Sequence, residues 1–297
     1  GWAGFVEGNS WRKDKKFDMT NRTAATIDLV RDVLVASADF SIYYNQTERR
    51  QAVNSYTFYT SPTNSAQRPA GSLYEERSYN RNRLTGNATL TYTPKLGKNN
   101  SLTVLAGWNI EDYQYKTNLI NREGIMIADR PNFDLLNGEA MKIADNGSSS
   151  SALVGAFYRI SYSYKSKYLI ETSGRYDGNS KFPSNQRWGF FPSASIGWRI
   201  SEEGFLKDAD WLDNLKIRVS AGTAGNGLIS NAYAYISKMG ISQSSVLNNG
   251  AVFNYTSAPV PIPNSLTWEK ATTYDAGLDF EAFNGRLNFS GDIYRKA

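Results

Sequence analysis

Residues 84–93 read LTGNATLTYT and alternate without a break: Leu84, Gly86, Ala88, Leu90 and Tyr92 on one side, Thr85, Asn87, Thr89, Thr91 and Thr93 on the other. A period of two belongs to an extended strand, whose successive side chains point to opposite faces; a helix cannot satisfy it. After the turn-forming PKLGKNN the alternation resumes. Leu102, Val104, Ala106, Trp108 and Ile110 stand opposite Thr103, Leu105, Gly107, Asn109 and Glu111, so the two segments form a hairpin.

The same pattern predicts strands over about 17–30, 33–47, 152–164 and 167–177, another from 188 (WGFFPSASIGWR), another through LKIRVSAGT, and a final pair over about 266–282 and 286–297. That pair meets at Asn284-Gly285, the dipeptide that best suits a two-residue hairpin turn. Ten strands result, with no competing helical period beyond a short turn in SEEGFLKDADWLDNL.

Two features bear on whether the apolar faces meet water-excluded core or lipid. The matches run about 9 to 15 residues, whereas ordinary strands cluster near 5–6 and a tilted membrane-crossing strand needs about 9–11. The connections also alternate: short at 31–32, 94–100, 165–166 and 283–285, long at 48–77, 118–151 and 225–265. Short turns on one side and long loops on the other are the habit of outer-membrane barrels. The expectation is therefore an all-β, antiparallel transmembrane β-barrel segment of about ten strands. Its long extracellular loops are about 48–77, 118–151 and 225–265, and a small helical periplasmic cap covers about 201–213. With the short turns periplasmic, both chain ends fall on the extracellular side, so a portion of a larger barrel is expected. The alternative is a soluble or surface all-β carbohydrate-binding or adhesin module, whose apolar faces must converge inward.

Composition narrows the chemistry. There are no Cys and no His, which removes thiolate nucleophiles, disulfides, His-assisted serine catalysis and His/Cys metal sites. The excess of 33 Lys+Arg over 28 Asp+Glu is scattered along the chain rather than gathered in a basic run, which argues against nucleic acid as a partner. No apolar run approaches the length of a membrane-spanning helix, and residues 1–20 lack the signal-peptide pattern. A mean hydropathy of -0.50 does not argue against a barrel, whose strands average lipid-facing and lumen-facing residues.

The stretch from Tyr162 to Asn226 carries R-Y-D-G-x-S-K-F at 175–182, R-W-G-F-F-P-S at 187–193, G-W-R at 197–199, W-L-D-N-L-K at 211–216 and G-x-x-G-N at 222–226. L-T-W-E-K at 266–270 and a hairpin through N-G-R-L at 284–287 follow. In order and spacing these motifs resemble the barrel of SusC/RagA-type TonB-dependent transporters of the Bacteroidetes outer membrane. The resemblance implies a 22-stranded barrel closed by a plug and energised through the TonB complex. It also implies a SusD-like surface lipoprotein partner and an oligosaccharide (glycan) or peptide as the imported nutrient. The plug, the TonB box and the remaining strands of that family pattern are not in this sequence. On this reading the chain sits in the cell outer membrane as a multi-pass β-barrel, needs no cofactor and is not an enzyme.

Candidate site residues fall into two groups. Aromatics in predicted loops, Trp2, Trp11, Tyr56, Tyr59, Tyr233 and Tyr235, are of the type that stacks on sugar rings. Arg159, Glu171, Arg175, Arg199, Arg218, Asp275 and Asp279 lie opposite the apolar residues of their strands, as a wet lumen or an ordinary solvent face allows. Asp275 and Asp279 are about 13 Å apart along an extended strand, too far for a glycosidase pair, so no catalytic residue is assigned. GTAGNG at 222–227 lacks the spacing of a phosphate loop, and DADWLD at 208–213 lacks the twelve-residue calcium-loop pattern, so no metal site is assigned either.

Overall fold

A computed structural model of the chain describes residues 10–59, 61–68, 71–138, 141–206, 209–229, 232–248, 251–259, 261–262 and 265–297. The strands, in chain order, are β1 (Trp11–Val30), β2 (Leu34–Val53), β3 (Tyr56–Tyr59), β4 (Ser65–Arg68), β5 (Leu73–Tyr92), β6 (Asn100–Glu123) and β7 (Lys142–Tyr164). They continue as β8 (Tyr168–Asn179), β9 (Trp188–Arg199), β10 (Leu212–Asn226), β11 (Ile241–Asn248), β12 (Ala251–Thr256), β13 (Glu269–Ala282) and β14 (Leu287–Lys296). Ten of these form one sheet in the order β1-β2-β5-β6-β7-β8-β9-β10-β13-β14, an up-and-down meander; β3-β4 and β11-β12 are separate two-stranded hairpins. The alternation thus yields ten sheet strands, as expected.

Several strands run well past their expected ends. β2 continues to Val53, β5 begins at Leu73 rather than near 84, β6 reaches Glu123 and β7 starts at Lys142. These extensions, such as RSYNRNR at 77–83, are polar on both faces, so hydrophobic periodicity has nothing to report there. The connection after β2 narrows to 54–72 and holds the β3-β4 hairpin; that after β6 narrows to 124–141, with a 3-10 turn at Phe133–Leu135. At 201–213 the expected helical cap is instead a 3-10 turn, Ile200–Glu202, followed by reverse turns.

The short hairpins use left-handed residues whose twist matches the strands they join. Lys165 and Ser166 both have positive φ, and the Lys167 N–H donates to the Tyr164 carbonyl across them at 3.0 Å. At 283–286 the turn is longer than the two residues expected from Asn284-Gly285. Phe283 is left-handed as well, with the Arg286 N–H reaching the Phe283 carbonyl at 3.4 Å.

The described residues divide into two compact units. The first takes its described residues from the ranges 1–22, 41–85 and 112–150, and the second from 23–40, 86–111 and 151–297. The first unit has a small core of Ala52, Tyr74 and Leu136, against which Trp11, Ile125 and Phe133 pack. In the second, Phe182, Phe191 and Trp268 form a cluster backed by Leu153, Ile229 and Leu266, and Phe182 is only 1% exposed. Hydrogen bonds from Trp268 Nε1 to the Arg187 carbonyl (2.9 Å) and from Lys181 Nζ to the Ile229 carbonyl (2.9 Å) tie the 179–187 turn to this cluster. Glycine is required at 225, where a Cβ would strike the Phe191 ring.

Burial in the second unit is inverted relative to a water-soluble sheet. In β8-β9, Tyr168 pairs with Trp198, Ile170 with Ile196, Thr172 with Ala194 and Tyr176 with Phe190. The intervening register places Glu171 beside Ser195 and Ser173 beside Ser193. The large apolar members of the first set are exposed, Ile196 at 62%, and β14 continues the face with Ile293 at 76%. The soluble alternative fails here, because its apolar side chains must converge rather than point outward. Trp188 and Trp198 bracket the exposed face of β9, ten residues apart. At about 3.4 Å per residue and a tilt of 40–45° they stand about 25 Å apart along the barrel axis, the height of an outer-membrane apolar band with its aromatic girdles. Tyr176 stacks on Trp188 at 5.0 Å, and Tyr164 on Tyr168 at 6.4 Å.

Ile196→Arg should therefore cost about 2–4 kcal/mol of folding stability in a bilayer, while Ser195→Arg on the opposite face should cost under about 1 kcal/mol. Urea titration of the complete protein refolded into liposomes measures both; equal costs would contradict the facing.

Candidate functional site

The face opposite the exposed apolar side chains carries the charges. In the second unit its centre is Arg218 of β10, which reaches across β13 to β14. Its Nη1 lies 2.6 Å from Asp292 Oδ1 and 3.7 Å from Asp275 Oδ1, and its Nε lies 3.2 Å from Asp279 Oδ2. Register explains this reach: Arg218 pairs with Gly277, which pairs with Asp292. A Cβ at Gly277 would come within 2.5 Å of both the guanidinium and the Asp292 carboxylate, so glycine leaves the groove in which Arg218 lies. Ser290 Oγ donates to Asp279 at 2.8 Å.

Two further pairs line the same face. Arg159 Nη2 and Ser161 Oγ both donate to Glu171 Oε2 at 2.8 Å. Arg175 makes a fork to Asp177, at 3.1 and 2.9 Å, with its guanidinium 5.1 Å from the Phe157 ring centre. A concavity of about 580 Å³ is walled by Ser161, Ser193, Ser195, Ser220, Glu171 and Arg218. A second of about 590 Å³ lies over Leu105, Phe157, Arg159, Arg175, Phe191 and Thr223. Hydroxyls and neutralised ion pairs of this kind wet a surface without activating it. Ser161 donates to a carboxylate already held by Arg159, which makes that carboxylate a poor general base.

The expected polar residues thus share one face, with Arg159 and Glu171 joined directly and Arg218 joined to Asp275 and Asp279. Arg199 differs: at the end of β9 it pairs in register with Lys216, and among the described residues its buried Nε has no hydrogen-bond partner. The expected aromatics are not gathered. Trp2 lies outside the described residues. Trp11 is an edge-on neighbour of Tyr74 at 6.5 Å in the core of the first unit. Tyr56 and Tyr59 sit on β3, with Tyr59 74% exposed; Tyr233 and Tyr235 are in a turn of the second unit, Tyr233 under Lys238 at 6.0 Å. Asp208 of the DADWLD stretch also lies outside the described residues.

Residues that hydrophobic patterning passes over form a second polar face, in the first unit. Arg77, Tyr79, Arg81 and Arg83 of β5 alternate with Ser78, Asn80 and Asn82, and Tyr113 and Tyr115 of β6 lie beside them. The signal that reveals them is a period-two alternation of Arg and Tyr against small polar residues, rather than of apolar against polar.

Outside the strands, the carboxylate of Glu203 accepts from Tyr168 Oη at 2.7 Å, Trp198 Nε1 at 3.2 Å and Lys167 Nζ at 3.2 Å. These donors, Tyr168 foremost, hold its pKa below the ordinary 4.5.

The family described as "TonB dependent receptor-like, beta-barrel" matches residues 2–297. The chain is 31% identical to the TonB-dependent receptor SusC of Bacteroides thetaiotaomicron, over 80% of this chain and 29% of that protein. It is 32% identical to the TonB-dependent receptor P39 of Formosa agariphila, over 69% of this chain and 19% of that protein. Its fold is similar to that of the RagAB peptide importer in the open-open state, with a TM-score of 0.79 at 22% identity, covering 98% of this chain and 30% of that one. The chain therefore spans less than a third of the length of these relatives.

Two expected outcomes follow from the charges. Arg218→Met leaves three carboxylates facing one another and should lower the urea midpoint at about 10 mM salt. The loss should be at least halved at about 1 M salt, where repulsion is screened, and partly reversed by adding Asp279→Asn. Because the Glu203 pKa is lowered on folding, its stabilisation is present above pH 4.5 and is lost as pH falls through the folded value. Glu203→Gln should flatten that part of the urea-midpoint profile below pH 4.5.

Proposed function

The chain belongs to the TonB-dependent receptor β-barrel family of outer-membrane proteins, and from that premise we propose that it forms wall strands of a transporter that imports oligosaccharides or peptides across the outer membrane. The observation that carries this reading is the inverted sheet. One face offers an apolar band about 25 Å tall between aromatic girdles, and the other offers hydroxyls and internally neutralised ion pairs. A wall of that kind passes hydrated cargo without trapping it, because its charges are already satisfied and its hydroxyls exchange freely with water.

The short turns at 31–33, 93–99, 165–167 and 283–286 face the periplasm on this reading, as does the 200–211 segment. The connections at 54–72, 124–141 and 227–268 face outward, where a SusD-like lipoprotein would meet them. Arg159, Glu171, Arg175, Arg199, Arg218, Asp275 and Asp279 face the lumen, and the aromatics of the outer connections meet arriving cargo. Energy comes from the TonB complex, which a barrel wall does not itself contact. No step of this process makes or breaks a covalent bond.

The test uses the complete gene product in cells. Uptake of fluorescently labelled oligosaccharides or peptides should require it and stop when TonB is removed, and the affinity-tagged protein should purify with a surface lipoprotein. Recovery of the folded protein from the soluble fraction, or uptake indifferent to TonB, would overturn the proposal.

A further inference from the structure

The second polar face, in the first unit, has a composition unlike that of the wall around Arg218. On β5 and β6 the rings of Tyr79 and Tyr115 lie 6.5 Å apart and within 26° of parallel. Arg81 is centred 5.5 Å over Tyr115, Arg83 is 5.6 Å over Tyr113, and Arg77 and Arg49 approach Tyr79 at 5.7 and 5.9 Å. Arg49 is occupied by Asp14 at 2.9 Å, and Arg77 has Glu75 at 3.7 Å. Arg81 has no carboxylate within ion-pair distance among the described residues; its one hydrogen bond runs from Nη1 to Asn45 Oδ1 at 3.4 Å. Arg81 and Arg83 are exposed. Two residues past Tyr115 on the same face, Thr117 is 5% exposed, and its hydroxyl has no hydrogen-bond partner among the described residues.

The opposite side of these strands is polar here as well. On the other side of β6, Trp108 and Ile110 give way to Asp112, Gln114 and Lys116; on β5, Leu84 gives way to Asn82 and Asn80. Both sides of the sheet are therefore wet at the level of Tyr79 and Tyr115. A guanidinium over a tyrosine ring still has N–H groups to donate, in a fork that matches the two oxygens of a carboxylate or a sulfate.

We infer that Tyr79, Tyr115, Arg81 and Arg83 form a subsite for an anionic oligosaccharide, in which a pyranose ring lies against the tyrosines and its carboxylate or sulfate is held by the two arginines. This rests on the import reading above and adds the charge class of the cargo. A sugar suits the site better than a peptide does. β5 is hydrogen-bonded between β2 and β6, so it has no free edge to which an extended peptide could add as a strand and offers only its side chains.

The test is calorimetric titration of the complete purified protein in detergent. The probes are a hexameric oligogalacturonide, a sulfated oligosaccharide of equal length, a neutral maltohexaose and hexaglutamate. At least one anionic sugar should bind about tenfold or more tightly than maltohexaose, with affinity falling as salt rises. The tighter of the two anionic sugars identifies the charged group. Arg81→Gln, Arg83→Gln and Tyr115→Leu should each weaken that binding about tenfold while the variants keep the heat-modifiable gel migration of the folded protein. Arg81→Lys should restore only part of the loss. Equal affinity for maltohexaose, indifference to Arg81→Gln, or hexaglutamate binding with the same arginine dependence would overturn the inference. TonB-dependent uptake of neutral sugar without anionic binding would sink this subsite alone. Anionic binding without any TonB-dependent uptake would sink the import reading alone.

Discussion

Backbone amides that face hydrocarbon have no water to fall back on, so every N–H and C=O of a membrane-crossing strand must be paired with a neighbouring strand. The unbroken ladder from β1 to β14 answers that requirement, and the rest of the chain is arranged around it. Register then does a second task. A slip of one residue anywhere in β8-β9 would carry Glu171 and Arg175 to the apolar side and Ile170 and Ile196 to the polar side. The primed turn at Lys165-Ser166 fixes the register of β7 against β8, and the extended turn at 283–286 fixes that of β13 against β14.

The family motifs gain a physical meaning in this light. R-Y-D-G-x-S-K-F and R-W-G-F-F-P-S are neighbouring strands whose ends close over the Phe182, Phe191 and Trp268 cluster, and L-T-W-E-K supplies the Trp. The paired phenylalanines part company: Phe190 joins the exposed face beside Tyr176, while Phe191 turns into the cluster. Asp177, buried by the Arg175 fork, and Gly225, pressed against Phe191, complete the fit. These three motifs thus encode packing at one end of the strands.

Much of this was legible in the sequence, and what was not has specific causes. Alternating apolar residues gave the ten strands and their faces, because lipid and lumen impose opposite demands on adjacent side chains. The outer stretches of β2, β5, β6 and β7 escape the pattern because water on both faces removes the contrast that periodicity detects. Trp11 packs, partly buried, against the core of the first unit, a contact that aromatic identity alone does not reveal. The triad of carboxylates around Arg218 was half visible: Asp275 and Asp279 share a face on one strand, but Asp292 joins them only through the β13-β14 register.

The stretch of sheet that is wet on both sides also answers to fewer constraints than strands with an apolar face. Within the apolar band, a substitution is tested by hydrocarbon on one side and by the charge network on the other. Around Tyr79, Arg81 and Tyr115 no hydrocarbon test applies, and the side chains answer to one another rather than to lipid. Residues there are free to change without disturbing insertion, so descendants of one barrel can acquire new preferences on this surface while the embedded part stays as it is.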